Sequence, residues 1–95
     1  MAEHIITLGD VNYISELFGN FDENVKMLEK QYGVSITNHN EKVKINGDEY
    51  DVSLALKAID GLMSLIKKGE SIGEQNVRDV MSLVADGDDG KIESL

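Results

Sequence analysis

The chain has 95 residues, 41% of them apolar and 28% charged, with no cysteine and a formal charge of −9. That length suits one small domain, which buries roughly 60–65% of the surface its unfolded chain exposes and so leaves little room for an internal active-site cavity. The lack of thiols excludes disulfides, zinc ribbons and cysteine catalysis, and the acidity opposes a polyanion at long range, so any nucleic-acid contact needs a local basic surface.

Ile5, Ile6 and Leu8 predict a short first strand closed by Gly9. Asp10 can cap a helix that carries Val11, Ile14, Leu17 and Phe18 at helical spacing, and Gly19 stops it. Asp22 opens a second helix with Val25, Leu28 and Tyr32 on one face and Gly33 as a left-handed terminator. Past Gly33 the period changes from helical to alternating. Val34 and Ile36 point inward, a polar loop Asn38-His39-Asn40 follows, and Val43 and Ile45 point inward between Lys42 and Lys44. Asn46-Gly47 ends this hairpin.

Asp48 then starts the longest helix, with Val52, Ala55, Leu56, Ile59, Leu62, Met63 and Ile66 inward and Gly69 as its stop. Gly61 within it costs about 1 kcal/mol against alanine, which points to a close helix contact or a weak spot. Ser71 and Glu74 have capping-box spacing ahead of a last helix bearing Val77, Val80, Met81 and Val84. Residues 1–85 make up the expected domain, and Asp86 to Leu95 read as an acidic linker or tail. The order strand, helix, helix, strand, strand, helix predicts an α+β fold, a three-stranded antiparallel sheet with helices on one face and an extra C-terminal helix.

This arrangement resembles a type I KH domain. Such a domain carries an apolar pair, a glycine-bounded turn, a glycine before two strands, and a helix with a buried alanine. The chain supplies Leu17-Phe18-Gly19, Val25 and Leu28, Gly33-Val34-Ser35-Ile36, Val43-Lys44-Ile45-Asn46-Gly47, and Val52 with Ala55. The run Leu-Phe-Gly-x-x-Asp-x-Asn at positions 17–24, followed by Leu28-Glu29 and a capped final helix, is similar to the N-terminal domain of PhoH-like proteins. That resemblance implies an accessory domain placed ahead of a P-loop ATPase domain.

The phosphate-binding loop itself does not occur. It requires glycine, four residues, glycine, lysine and a hydroxyl residue, and the only Gly-Lys pair, Gly90-Lys91, has Ala85 and Ile92 at the other fixed positions. The chain therefore reads as a fragment with no chemistry of its own, and ATP and Mg²⁺ are expected only in an ATPase domain that is absent here.

Asp22 has two readings. As a helix N-cap its carboxylate accepts hydrogen bonds from first-turn amides. In a KH-like turn the same amides face a nucleic-acid backbone, so Asp22, helped by Glu23, would also repel phosphate. Gly19, Asn20, Phe21 and Asp22 form the candidate site, with Phe21 able to stack a base or meet a partner protein. Lys26 and Lys30, with Glu29 between them, and Ser35, Lys42 and Lys44 on the outward side of the strands are the remaining candidates. Their alternative role is an ordinary solvated surface.

His4 and His39 lack ligand partners at metal spacing, Asp86-Gly87-Asp88-Asp89-Gly90 lacks the frame of a calcium loop, and the paired carboxylates show no buried partner for acid–base work. Neither a signal peptide nor a membrane span is predicted, and a cytoplasmic location is expected. The leading expectation is weak single-stranded RNA binding in a groove between the Gly19–Asp22 turn and the strand at Val34 to Thr37, in service of the chain's own ATPase domain. The competing one is a protein-interaction or self-association module that has lost nucleic-acid affinity.

Overall fold

The alternation of helical and two-residue apolar periods along the chain is followed closely by the backbone. The computed structural model describes residues 1–87, and in them β1 (Ala2–Thr7), α1 (Val11–Phe18), α2 (Glu23–Tyr32), β2 (Ser35–His39), β3 (Lys42–Gly47), α3 (Glu49–Lys67) and α4 (Glu74–Ala85) succeed one another. A single 3-10 turn at Asn20–Asp22 joins α1 to α2. The expected acidic tail lies, from residue 88 on, outside the described residues, as does the Gly90-Lys91 pair.

The sheet is antiparallel throughout, in the order β1-β3-β2. Because side chains alternate across a strand, Ile36, Val43 and Ile45 enter the core, while their neighbours Ser35, Thr37, Lys42 and Lys44 do not. The polar loop is shorter than the sequence predicts. His39 still pairs with Lys42, so only Asn40 and Glu41 make the reversal, and Asn40 adopts φ 59°, a left-handed value that Asn tolerates well. Gly47 closes β3 against Val34, where a Cβ would lie 2.8 Å from Val34 Cγ1, so the glycine permits the close approach.

α3 packs on β1 and β3 as well as on α1, α2 and α4. Its burial therefore extends beyond the predicted stripe: Ala58, Gly61 and Leu65 are buried too, whereas Leu56 is only half-buried. α3 ends in a turn at Gly69, where the Gly69 N–H donates to the Ile66 carbonyl and the Glu70 N–H to that of Leu65. The predicted Ser71–Glu74 box is not what opens α4. Gly73 is the N-cap, and Asn76 Oδ1 accepts from the Gly73 N–H at 3.0 Å. The start is displaced because Ile72, one residue earlier, is tied to α1 and α2 through both of its backbone groups. Among the described residues no helix is long and apolar enough to cross a membrane.

Candidate functional site

The turn between α1 and α2 is built from a buried half and an exposed half. Leu17 and Phe18 end α1 in the core, and Asp10 caps its start by accepting from the Asn12 N–H at 2.8 Å. Gly19 leaves the helix at φ 75°, and a Cβ there would lie 2.7 Å from Asn24 Nδ2. Both facts require glycine. Asn24 is 0% exposed; its Nδ2 lies 3.4 Å from the Glu16 carbonyl oxygen and 3.5 Å from that of Ile72. Glu16 completes the clamp by accepting from the Ile72 N–H at 3.2 Å. The link before α4 is thus fastened to the turn, and the extra helix is part of the same packing unit.

The exposed half is unlike the prediction. Phe21 (φ 54°, ψ 31°) and Asp22 (φ 59°, ψ 23°) are both left-handed, and Phe21 is 93% exposed. Asp22 does occupy the position before α2, but its side chain makes no capping hydrogen bond. A capping carboxylate needs an extended backbone to turn back onto the first-turn amides, and the left-handed one does not provide it. The first turn of α2 therefore starts without a side-chain cap, and the Asp22 carboxylate remains as charge alone.

Beside the turn lies an open groove of about 300 Å³ lined by Val11, Ile14, Ser15, Phe18, Gly19, Asp22, Asn38 and Asn40. Its floor is the apolar face of α1, one rim is the turn, and the other rim is the end of β2 with the hairpin. Val11, predicted as part of the helical stripe, is exposed here rather than buried. Of the predicted site residues Gly19 and Asp22 line the groove, with Asn20 and Phe21 in the same turn. The strand wall comes from Asn38 and Asn40, not from Val34 to Thr37.

Lys26 and Lys30 are exposed on α2. Glu29, between them, is not a solvated counter-charge: its Oε2 accepts from the Ile36 N–H at 2.8 Å and so covers the outer edge of β2. Ser35, Lys42 and Lys44 lie on the sheet face turned away from the helices, and Lys44 Nζ sits 3.2 Å from Glu3 Oε2 in an exposed pair of small energetic weight. The structure does not bring these three to the groove, whose lining contains one carboxylate and no basic side chain. Among the described residues no cluster of His, Cys, Asp or Glu could hold a metal ion.

Glu16, Asn24, Glu29, Asn38 and Asn40 are the residues that sequence reasoning passed over. Asn24 had a signal, since it closes the run of positions 17–24. The two glutamates look like any polar residue on an amphipathic helix, and only the fold shows which backbone groups they reach.

No family model matches the chain. Among curated proteins it is 30% identical over 81 residues to a PhoH-like protein of Bacillus subtilis, a match spanning 81% of this chain and 25% of that protein. It is 31% identical over 80 residues to the PhoH-like proteins of Mycobacterium bovis and Mycobacterium tuberculosis, spanning 83% of the chain and 23% of each. The chain thus spans about a quarter of the length of the curated relatives it matches. Among solved structures, Dim2p from Pyrococcus horikoshii superposes with a TM-score of 0.67 at 19% identity over 85% of this chain and 48% of the other. That likeness supports the KH-like fold class.

Proposed function

We propose that this chain, whose curated relatives are PhoH-like proteins, is the KH-like accessory domain of such a protein, and that it holds single-stranded RNA in the groove between the Gly19–Asp22 turn and the β2–β3 hairpin. The observation that supports this reading is the start of α2 at the mouth of that groove, which has no side-chain cap and where only the Glu23 N–H is taken up by the turn, donating to the Asn20 carbonyl. Backbone amides at a helix start, carrying the positive end of its dipole, suit a phosphate. From there Val11, Ile14 and Phe18 offer an apolar floor for a base, and the side-chain amides of Asn38 and Asn40 offer both donors and acceptors to base edges. Lys26 and Lys30 on α2 neutralise neighbouring phosphates, and Phe21 supplies a stacking face. Affinity is weak, because Asp22 and the overall charge of −9 oppose the ligand.

This chain performs no reaction in that reading. ATP and Mg²⁺ belong to a P-loop domain of a full-length cytoplasmic protein, and the domain described here neither binds nor hydrolyses nucleotide. A second reading, recognition of a protein, is favoured by the groove's lack of basic lining and by the exposure of Phe21. Amide chemical-shift mapping with a short single-stranded RNA at low salt distinguishes them. Shifts concentrated at Ser15, Gly19 to Asp22, Asn38 and Asn40 are expected; an unchanged spectrum would favour the protein-binding reading.

A further inference from the structure

The sheet has a second face, turned away from the helices, and its charge runs against that of the molecule. Directly opposed residues of an antiparallel pair share a face, so the registers put Lys42 between Thr7 and His39, and Lys44 between Ile5 and Thr37. The chain has 18 acidic residues against 9 Lys and Arg, yet among the outward side chains of the three strands Glu3 alone is acidic. It is engaged with Lys44 at 3.2 Å. Among the described residues Lys42 has no ion pair, and Thr7, Thr37 and His39 have no side-chain hydrogen bond. A row of cationic and hydrogen-bonding groups thus stands open on an acidic chain.

The make-up of the face decides what it fits. A lasting protein interface has an apolar or aromatic centre from which Lys is depleted, whereas this face offers one exposed aliphatic side chain, Ile5, on an edge strand. It carries no Phe, Tyr or Trp on which a base could stack. The groups that remain suit phosphate oxygens. Lys42 and Lys44 stand two residues apart on one strand, about 6.7 Å along it, a step close to that between successive phosphates of an extended single strand. The face also adjoins the groove: Asn38 and Asn40 form the groove wall, while His39 between them turns to the outer side of β2. The hairpin reversal, with the exposed Glu41, is their common border.

We propose that single-stranded RNA held in the groove continues over the β2–β3 hairpin and lays its backbone along the outer face of β3. Lys42 and Lys44 neutralise successive phosphates there, and Thr7, Thr37 and His39 donate to the phosphate oxygens. The proposal rests on the RNA reading of the groove, and it supplies the basic lining that the groove itself lacks. Because the contacts are to the backbone, the face adds affinity without sequence preference.

The test uses two labelled oligouridines, one of about four nucleotides, the length a KH-type groove clamps, and one of about ten. Each is titrated with the 95-residue chain across a salt series and followed by fluorescence anisotropy. The longer strand should bind more tightly and with a steeper salt dependence, since each neutralised phosphate of a single strand adds about 0.7 to the slope of log K against log salt. Replacing both lysines, Lys42→Gln with Lys44→Gln, should remove that increment for the longer strand and leave the shorter one unaffected. Glu3→Gln, which frees Lys44, should tighten the longer strand alone. Lys57→Gln, an exposed lysine on α3, should change neither slope, and circular dichroism should show every variant folded. Amide shifts at His39, Lys42 and Lys44 should accompany the longer strand only. If the shorter strand binds and the longer gains nothing that depends on Lys42 and Lys44, the groove reading stands and this proposal falls, leaving the face to an acidic protein. Shifts on the sheet without shifts at the groove would overturn the continuous path, and binding of neither strand would overturn both.

Discussion

Within eight residues, positions 17–24, the turn contains two regions that obey different rules. Leu17, Phe18, Gly19 and Asn24 are fixed by packing, close approach and burial. Asn20, Phe21 and Asp22 are exposed, and two of the three hold left-handed backbones that their side chains disfavour. A run that resembles a family signature therefore need not be a binding signature. Its buried members hold α1, α2 and the link to α4 together, and whatever the turn recognises falls to its exposed members.

Phenylalanine occurs once in each half, which gives the sharpest contrast. Phe18→Ala should lower stability by about 3–5 kcal/mol through the cavity it leaves, a large share of a marginal total. Urea denaturation followed by circular dichroism measures it. Gly19→Ala comes next. Its methyl group meets Asn24 Nδ2 and forces a strained φ, a cost of about 1–3 kcal/mol, and the amide signals of Asn24 and Ile72 should shift together as the clamp loosens.

Phe21→Gly should do the reverse. Removing left-handed strain outweighs the extra freedom of an unfolded glycine, so stability should hold or rise by about 1 kcal/mol. A loss comparable to that of Phe18→Ala would erase the distinction between the halves.

Tyr32, buried at the end of α2, checks the smallest effect. Its hydroxyl finds no hydrogen-bond partner among the described residues, and burial pushes its pKa above the usual value of 10.0. Since the folded state holds the phenol proton more tightly, this contribution to stability is complete below pH 10 and is lost as pH rises through the folded-state pKa. Tyr32→Phe should be neutral or slightly stabilising at pH 7 and should flatten that alkaline decline. Thermal melts of both proteins from pH 8 to above pH 10 read the difference.

The framework was legible in the sequence because it rests on period and punctuation. Val43 and Ile45 announce a strand by alternation, Gly19 and Gly33 announce helix ends, and the order of elements then admits few folds. The site was legible only in place. That Asp22 precedes α2 follows from its residue type; that its backbone is left-handed, and its carboxylate turned from the amides, follows from a turn whose geometry is set by Gly19 packing on Asn24, 5 residues away in sequence. The same limit explains Glu29 and Asn38. One reaches a strand edge and the other a groove wall, and neither relation has a local pattern. Burial of Ala58 and Leu65 was hidden for a related reason, since an amphipathic period describes one face and α3 is covered on more than one.

Fluorescence anisotropy of a short labelled single-stranded RNA, titrated with the wild-type chain and with Asp22→Gly at two salt concentrations, tests the RNA-binding account most directly. Because Asp22 makes no capping bond, its replacement should leave the melting temperature nearly unchanged while removing a negative charge from the groove. Weak binding by the wild-type chain at low salt, tighter binding by Asp22→Gly, and loss of affinity in both as salt is raised are expected. An Asp22→Gly chain that is folded yet binds no better than wild type, or absence of binding by either at low ionic strength, would contradict it.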